Sequence, residues 1–367
     1  MSGFNFAAWT SRIPTLQKQL QLNDVALGTL LSVLPLGLMT AMPFAGISMA
    51  KYSSRKIMLI SAIIYTLLLL LLGNVHTWWQ AAIVLFMFGF ARTFFNIAVN
   101  TQALGVQAFF QKSIITTLHG IWSLAALFGA AVSLLFMSID ASVQIHFIVV
   151  SICSLVLIGL FYKTTLVANN TSAEKRKAFA MPDKSLLLLG TIAFLCMMCE
   201  GTMSDWSGIY FEKVVHMPER YVATGYIVYL TAMVTGRFVG DYIINRMGRI
   251  KLLQITSVLV VSGFLLAVAF PNPLIASLGF LLIGFGVSCT VPMVFALAAA
   301  TSKLPHGTAI AAVSTVGYIG FLLGPPIVGY FSGIATLRVA FLVIGITASI
   351  IFILARIVAR KTLTVNA

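Results

Sequence analysis

Between Asp24 and Lys51 no charged side chain interrupts the chain, and apolar runs of similar length recur to its C-terminus. A bilayer crossing needs about 20 apolar residues, and in lipid a helix pairs its backbone amides within its own segment. Soluble domains carry about a quarter charged residues; here 9% are charged and 60% hydrophobic. With 28 Gly, sparse charge and 4 Cys, the collagen-like, disordered and disulfide-scaffold classes are excluded as well. The chain reads as an all-α membrane protein. At about 30 residues per span and loop, its 367 residues make about twelve spans.

Those spans are predicted at 1–17, 24–50, 57–74, 77–104, 113–138, 141–163, 184–210, 220–244, 250–270, 272–301, 307–332 and 335–359. A net charge of +14 hints at nucleic acid in a soluble chain, but here most basic residues gather on one membrane side. Lys51, Arg55, Lys56, Lys112, Lys163, Lys175, Arg176, Lys177, Lys184, Arg246, Arg249, Lys251, Lys303, Arg356, Arg360 and Lys361 share that side. Arg12, Lys18, Lys213, Arg220 and Arg338 take the other, and Arg92 and Arg237 fall within spans. Cytoplasmic loops hold the excess of Lys and Arg, so the C-terminus is expected in the cytoplasm and nucleic acid is not an expected partner.

Cys153, Cys196, Cys199 and Cys289 all lie inside spans, which excludes a disulfide framework. The Cys196-x-x-Cys199 pair has no second pair of ligands and reads as packing, with no metal site. Met1 leads into a short apolar run without a basic flank, so no cleavable signal peptide is evident.

The polar stretch from Ala168 to Lys184 divides the spans into a bundle over 1–163, a cytoplasmic linker over 164–183 and a bundle over 184–367. Sliding the first half by 195 positions places Asp24 on Glu219, Lys51 on Arg246, Lys56 on Lys251, Gly89 on Gly284 and Gly129 on Gly324. One offset across so many spans marks an internal repeat, and repeat-built transporters hold substrate near the midplane between the repeats. Under that offset residue 1 falls on residue 196. The first helix is therefore expected to be truncated at its N-terminal end: either it is half-length or an upstream segment is absent from this chain.

Two halves of six helices with basic turns after spans 2 and 8 resemble the major facilitator superfamily, whose signature in those turns is GxxxDRxGRK. The second copy runs Asp241-Tyr-Ile-Ile-Asn245-Arg246-Met-Gly248-Arg249, with Asp at the usual Gly and Asn at the usual Asp. The first runs from Gly46 through Ala50-Lys51 to Ser54-Arg55-Lys56 and has lost the acidic position. Finer runs are similar to a bacterial YbjJ-like branch related to sugar–proton symporters. They are Ala8-Trp9-Thr-Ser-Arg12-Ile-Pro14, Ala98-Val-Asn100, His119-Gly120-Ile-Trp122-Ser123, Glu200-Gly201-Thr-Met-Ser-Asp205-Trp206, Gly236-Arg237-Phe, and Gly317-Tyr318 with Gly324-Pro325-Pro326. The resemblance implies the major facilitator fold of two pseudo-symmetric six-helix bundles in a cell inner membrane, working by alternating access on a small polar solute moved with protons. The expected partners are that solute and the bilayer, the expected state is a monomer, and no cofactor is expected beyond the proton gradient.

An ionisable side chain in a span costs about 2.5–3.5 kcal/mol on insertion scales, so it marks a pathway or a buried pair. In span 4, Arg92, Asn96 and Asn100 recur at four-residue steps on one helix face. They read either as lining for hydroxyls or a carboxylate or as interhelical glue. In span 5, His119 and Trp122 sit one turn apart, a proton shuttle and a stacking platform for a sugar, or simply a satisfied donor pair.

Span 7 carries Glu200 with Ser204 on the same face, then Asp205 nearer the outer end. Glu200 is the proton-site candidate, since a carboxylate loads and releases a proton as its surroundings alternate between wet and dry. Asp205 joins it in coupling or serves the outer gate. Asn5 falls opposite Glu200 under the repeat and, with Tyr318 of span 11, completes the expected substrate lining. Arg92 and Glu200 lie at similar depths by residue count and are candidates to pair. Arg237 and Asp241, spaced i, i+4 near the cytoplasmic end of span 8, form the expected gate with Arg246 and Arg249.

Three functions compete. The first is proton-coupled uptake of a sugar or similar hydroxylated metabolite. The second is proton-driven efflux of amphipathic compounds, kept open by 15 Met. The third is a non-transporting receptor or lipid-handling protein. Drug–proton antiporters carry GxxxGPxxGG in span 5, where this chain reads Gly129-Ala-Ala-Val-Ser133 with no proline, which favours uptake. No loop holds a nucleophile–base pair or a metal-spaced His cluster, so enzyme chemistry is not expected.

Overall fold

A computed structural model describes residues 1–107, 109–110, 115–167, 184–302, 304 and 306–365. The first half forms α1 (Ser2–Ser11), α2 (Ile13–Gln19), α3 (Asp24–Lys51), α4 (Ser54–Leu72), α5 (Trp78–Gln107), α6 (Ile115–Ser138) and α7 (Val143–Phe161). The second forms α8 (Lys184–Lys213), α9 (Thr224–Met247), α10 (Arg249–Ala269), α11 (Pro273–Ser288), α12 (Thr290–Thr301), α13 (His306–Ile334) and α14 (Leu337–Val365). Among the described residues, 11 segments are long and apolar enough to cross a membrane, and no strand occurs. The chain is all-α, as its hydropathy requires. The linker expected over 164–183 lies largely outside the described residues.

Short polar caps set the helix starts. Ser53 accepts from the amide of Lys56, Ser142 from that of Ile145, and Asn272 from that of Ile275 just before Pro273 opens α11. Proline accounts for two departures from the predicted spans. The run 1–17 divides at Arg12, because Pro14 in the first turn of α2 has no N–H for the carbonyl of Thr10 and its ring crowds that oxygen. Pro292 stands in the same relation to Ser288, so the predicted 272–301 span becomes α11 and α12 on either side of Cys289.

Two compact units result. Unit 1 comprises Met1–Leu22, Thr29–Lys175 and Glu219–Ala223; unit 2 comprises Asn23–Gly28, Arg176–Pro218 and Thr224–Ala367. Each therefore takes one short segment from the other half of the sequence. In unit 1, Lys18 Nζ lies 2.8 Å from Glu219 Oε2; in unit 2, Lys213 Nζ lies 2.5 Å from Asp24 Oδ1. Lys18 and Lys213 are related by the 195-residue offset, and so are Asp24 and Glu219. A repeat-related ion pair lies at each exchanged segment.

The same offset appears in the backbone packing. In unit 1 a β-carbon on Gly89 of α5 would collide with the carbonyl of Leu34 and the amide of Leu38 on α3. In unit 2 one on Gly284 of α11 would collide with the carbonyl of Tyr229 and the amide of Met233 on α9. All three positions shift together. Lipid supplies no hydrophobic drive between helices, so close approach through small residues carries their association. Gly129 of α6 meets the backbone of Phe4 on α1, and Gly320 of α13 meets that of Phe194 on α8, by the same device.

Candidate functional site

In unit 1 the polar face of α5 meets α1 in steps of four taken in opposite directions. Ser2 Oγ donates to Asn96 Oδ1 at 3.1 Å, and the Phe6 ring centroid lies 3.9 Å from the guanidinium carbon of Arg92. The Trp122 ring of α6 lies 6.0 Å from the same carbon. A cation over an aromatic face is attracted by the ring quadrupole, so both rings favour the charged guanidinium at this place. Arg92, Asn96 and Trp122 are half-buried and Asn100 is exposed. Nε of Arg92 is buried without a hydrogen-bond partner.

Asn5 does not join this cluster. It is fully buried, donating through Nδ2 to Thr66 Oγ1 at 3.3 Å and accepting from Ser154 Oγ at 2.6 Å. Its amide ties α1 to α4 and α7, and the residue is buried in that seam. His119 is on α6 with its side chain outside the described ones.

In unit 2, Oε1 of Glu200 near the middle of α8 lies 3.8 Å from Nη2 of Arg237 on α9, their side chains 18% and 22% exposed. Glu200 pairs with Arg237 within unit 2. The spacing of α9 had placed Arg237 near a helix end, but the helix begins only at Thr224, after a 3₁₀ turn at Glu219–Tyr221, and brings Arg237 level with Glu200. The side chain of Asp241, its expected i+4 partner, lies outside the described ones. Ser204 is buried, while Asp205 and Tyr318 are half-buried.

Tyr226 and Tyr229 were not among the expected site residues. Their rings stack on α9 at 6.3 Å, and Tyr229, like Cys196, lies within electrostatic reach of Glu200 and Arg237. The Tyr229 hydroxyl and the Trp206 indole N–H are buried without hydrogen-bond partners, the kind of group that calls for explanation in a native structure. Residues 226, 229, 233 and 237 follow one helical face, a pattern that would have flagged both tyrosines. Phe6, an apolar residue in an apolar helix, carried no such signal. Among the described residues no cluster of His, Cys, Asp or Glu has the makings of a metal site.

The sequence model of the Major Facilitator Superfamily matches residues 1–307. The chain belongs to that superfamily. It is 30% identical over 362 residues to an uncharacterized MFS-type transporter of Yersinia pestis, covering 98% of this chain and 94% of that one. It is 27% identical over 333 residues to the membrane protein MosC of Rhizobium meliloti, covering 90% and 80%. Among solved structures, the nucleoside transporter NupG superposes with a TM-score of 0.76 at 15% identity, covering 97% of this chain and 96% of that one. An inward-facing bacterial homolog of the human lysosomal transporter Spinster superposes at 0.77 and 12%, covering 99% and 95%. These two likenesses show the major facilitator fold.

The superfamily's signature turn is built in two ways here. After α9 the chain reverses at Gly248 with φ +79, a conformation that L side chains adopt only with strain. Arg246 lies 4.6 Å from the Tyr242 ring, and Arg249 opens α10, exposed. The corresponding turn after α3 has no glycine and relies on the Ser53 cap.

Proposed function

We propose that this transporter of the MFS type is a secondary active carrier of the YbjJ-like branch, which takes up a sugar or similar hydroxylated metabolite with protons by alternating access. The observation that carries the reading is the Glu200–Arg237 pair at 3.8 Å. At an effective dielectric of about 20 their attraction is roughly 4 kcal/mol, and desolvation costs several kcal/mol per ion. Summed over two ions that cost is at least as large as the attraction, so a change in water access shifts the balance between ionised and protonated Glu200. That sensitivity to water is what a coupling site requires. A proton on Glu200 releases Arg237, and the tyrosine face of α9 lies beside the change.

Solute recognition falls to Arg92, Asn96, Asn100 and Trp122, which offer N–H donors beside an aromatic face. The efflux reading is weaker because Met197, Met198 and Met203 are buried, with Met197 and Met198 packed against Gly317 and Gly324 of α13. Methionine there fills a helix seam. We place the carrier in the cell inner membrane as a monomer on its resemblance to the YbjJ-like branch, and its C-terminus in the cytoplasm on the charge distribution of its loops. The test is proteoliposome transport with Glu200→Gln. Proton-driven accumulation is expected to vanish while solute exchange persists; intact accumulation removes Glu200 from coupling, and solute loss driven by an inward proton gradient supports efflux.

A further inference from the structure

We infer that Arg92 receives a negatively charged group of the transported solute, so that the substrate is a hydroxylated acid and not a neutral sugar. This deepens the transport reading above and rests on it.

A guanidinium halfway along a span is costly unless an anion accompanies it. Arg237 has such an anion in Glu200. Among the described residues, Arg92 lies against the rings of Phe6 and Trp122, neither of which carries charge. The described part of unit 1 contains the carboxylates Asp140 and Glu219. Both are exposed and already matched, Asp140 to Arg220 at 4.0 Å and Glu219 to Lys18 at 2.8 Å. Arg92 therefore holds its charge without a counter-charge from those residues.

The surroundings specify what kind of anion fits. The Phe6 ring lies against the guanidinium and offers no acceptor, which leaves the N–H donors for a ligand. Nε, one of those donors, is buried and has no partner. One turn along α5, Asn96 uses its oxygen to accept from Ser2, so its amide N–H donors point to the same need for acceptors. A carboxylate takes two parallel N–H bonds from a guanidinium, the adjoining amides take hydroxyls, and Trp122 covers an apolar sugar or polyol face. A neutral sugar brings Arg92 no counter-charge, and a cationic solute meets repulsion there.

The experiment is a thermal-shift titration of the purified full chain with matched pairs: D-glucuronate against D-glucose, D-gluconate against D-sorbitol, and acetate as an anion without further hydroxyls. Wild type, Arg92→Gln and Arg92→Lys are compared, and a ligand-free melt of each variant reports its folding. The acid of each pair is expected to bind at least about tenfold more tightly than its neutral partner, the value of one charge-assisted contact. Arg92→Gln is expected to abolish that preference and Arg92→Lys to keep part of it, because lysine retains the charge without the fork. Equal binding of acid and neutral partner, or a preference that survives Arg92→Gln, overturns the anion assignment and leaves the hydroxylated-solute reading standing. Arg92-dependent binding of acetate as tight as that of gluconate supports the anion assignment and overturns the hydroxyl requirement. A flat response to all five probes overturns both.

Discussion

Glu200 on α8 and Arg237 on α9 face one another 3.8 Å apart, each with about a fifth of its side chain exposed. The pair joins two helices of one unit, and so it ties a titratable group to helix packing. Removing either partner leaves a lone ion at span depth. Glu200→Gln and Arg237→Gln are each expected to lower stability by about 1–3 kcal/mol, below the 3–5 kcal/mol of a fully buried pair because water still reaches both. The double variant is expected to recover at least about 0.5 kcal/mol of the summed loss. Thermal melts of the four proteins in detergent check this, and additive losses dissolve the pair.

The glycine seams yield a second expectation with an internal control. Gly89→Ala and Gly284→Ala set a β-carbon against the carbonyls of Leu34 and Tyr229, and strain of that kind costs about 1–3 kcal/mol. Gly46 on α3 has nothing within 4 Å of such a carbon, so Gly46→Ala is expected to stay within about 0.5 kcal/mol of wild type. Equal melting temperatures for all three variants contradict the seam.

Asn5 and Asn100 should separate stability from binding. Asn5→Ala strips partners from Thr66 and Ser154 in the core and is expected to cost about 1–3 kcal/mol of stability without changing solute affinity. Asn100→Ala, at an exposed position, is expected to weaken affinity severalfold at unchanged stability. Paired melts and binding titrations check both, and unchanged affinity for Asn100→Ala returns that residue to a structural role.

The repeat-related lysine pairs differ in exposure, at 51% and 54% for Lys18–Glu219 but 41% and 14% for Lys213–Asp24. Asp24 also accepts from Ser332. Asp24→Asn is expected to cost about 1 kcal/mol and Glu219→Gln at most about 0.3 kcal/mol. Added salt should shrink both effects; melts at low and high ionic strength measure them.

Much of the fold was legible because lipid leaves a chain so few options. The apolar runs fell close to the observed helices, and the offset that matched Gly89 with Gly284 reappears in their contacts with Leu34 and Tyr229. The site was less legible. The i, i+4 rule sees only partners on the same helix, so it offered Arg237 the carboxylate of Asp241 and had no means of finding Glu200, 37 positions earlier in the sequence. Asn5 was expected beside the solute because its repeat mate is Glu200, yet α4 and α7 present Thr66 and Ser154 to it and hold its amide in the core.

The sequence by itself determined that this chain is helical, spans a membrane and carries an internal repeat, because hydrophobic length and a constant offset are properties of order along the chain. Only the tertiary structure decided which polar groups are spent on packing and which remain for chemistry. A hydrogen bond or ion pair forms over a few ångströms between neighbouring helices, and which helices become neighbours is settled by how their glycine-lined surfaces fit together.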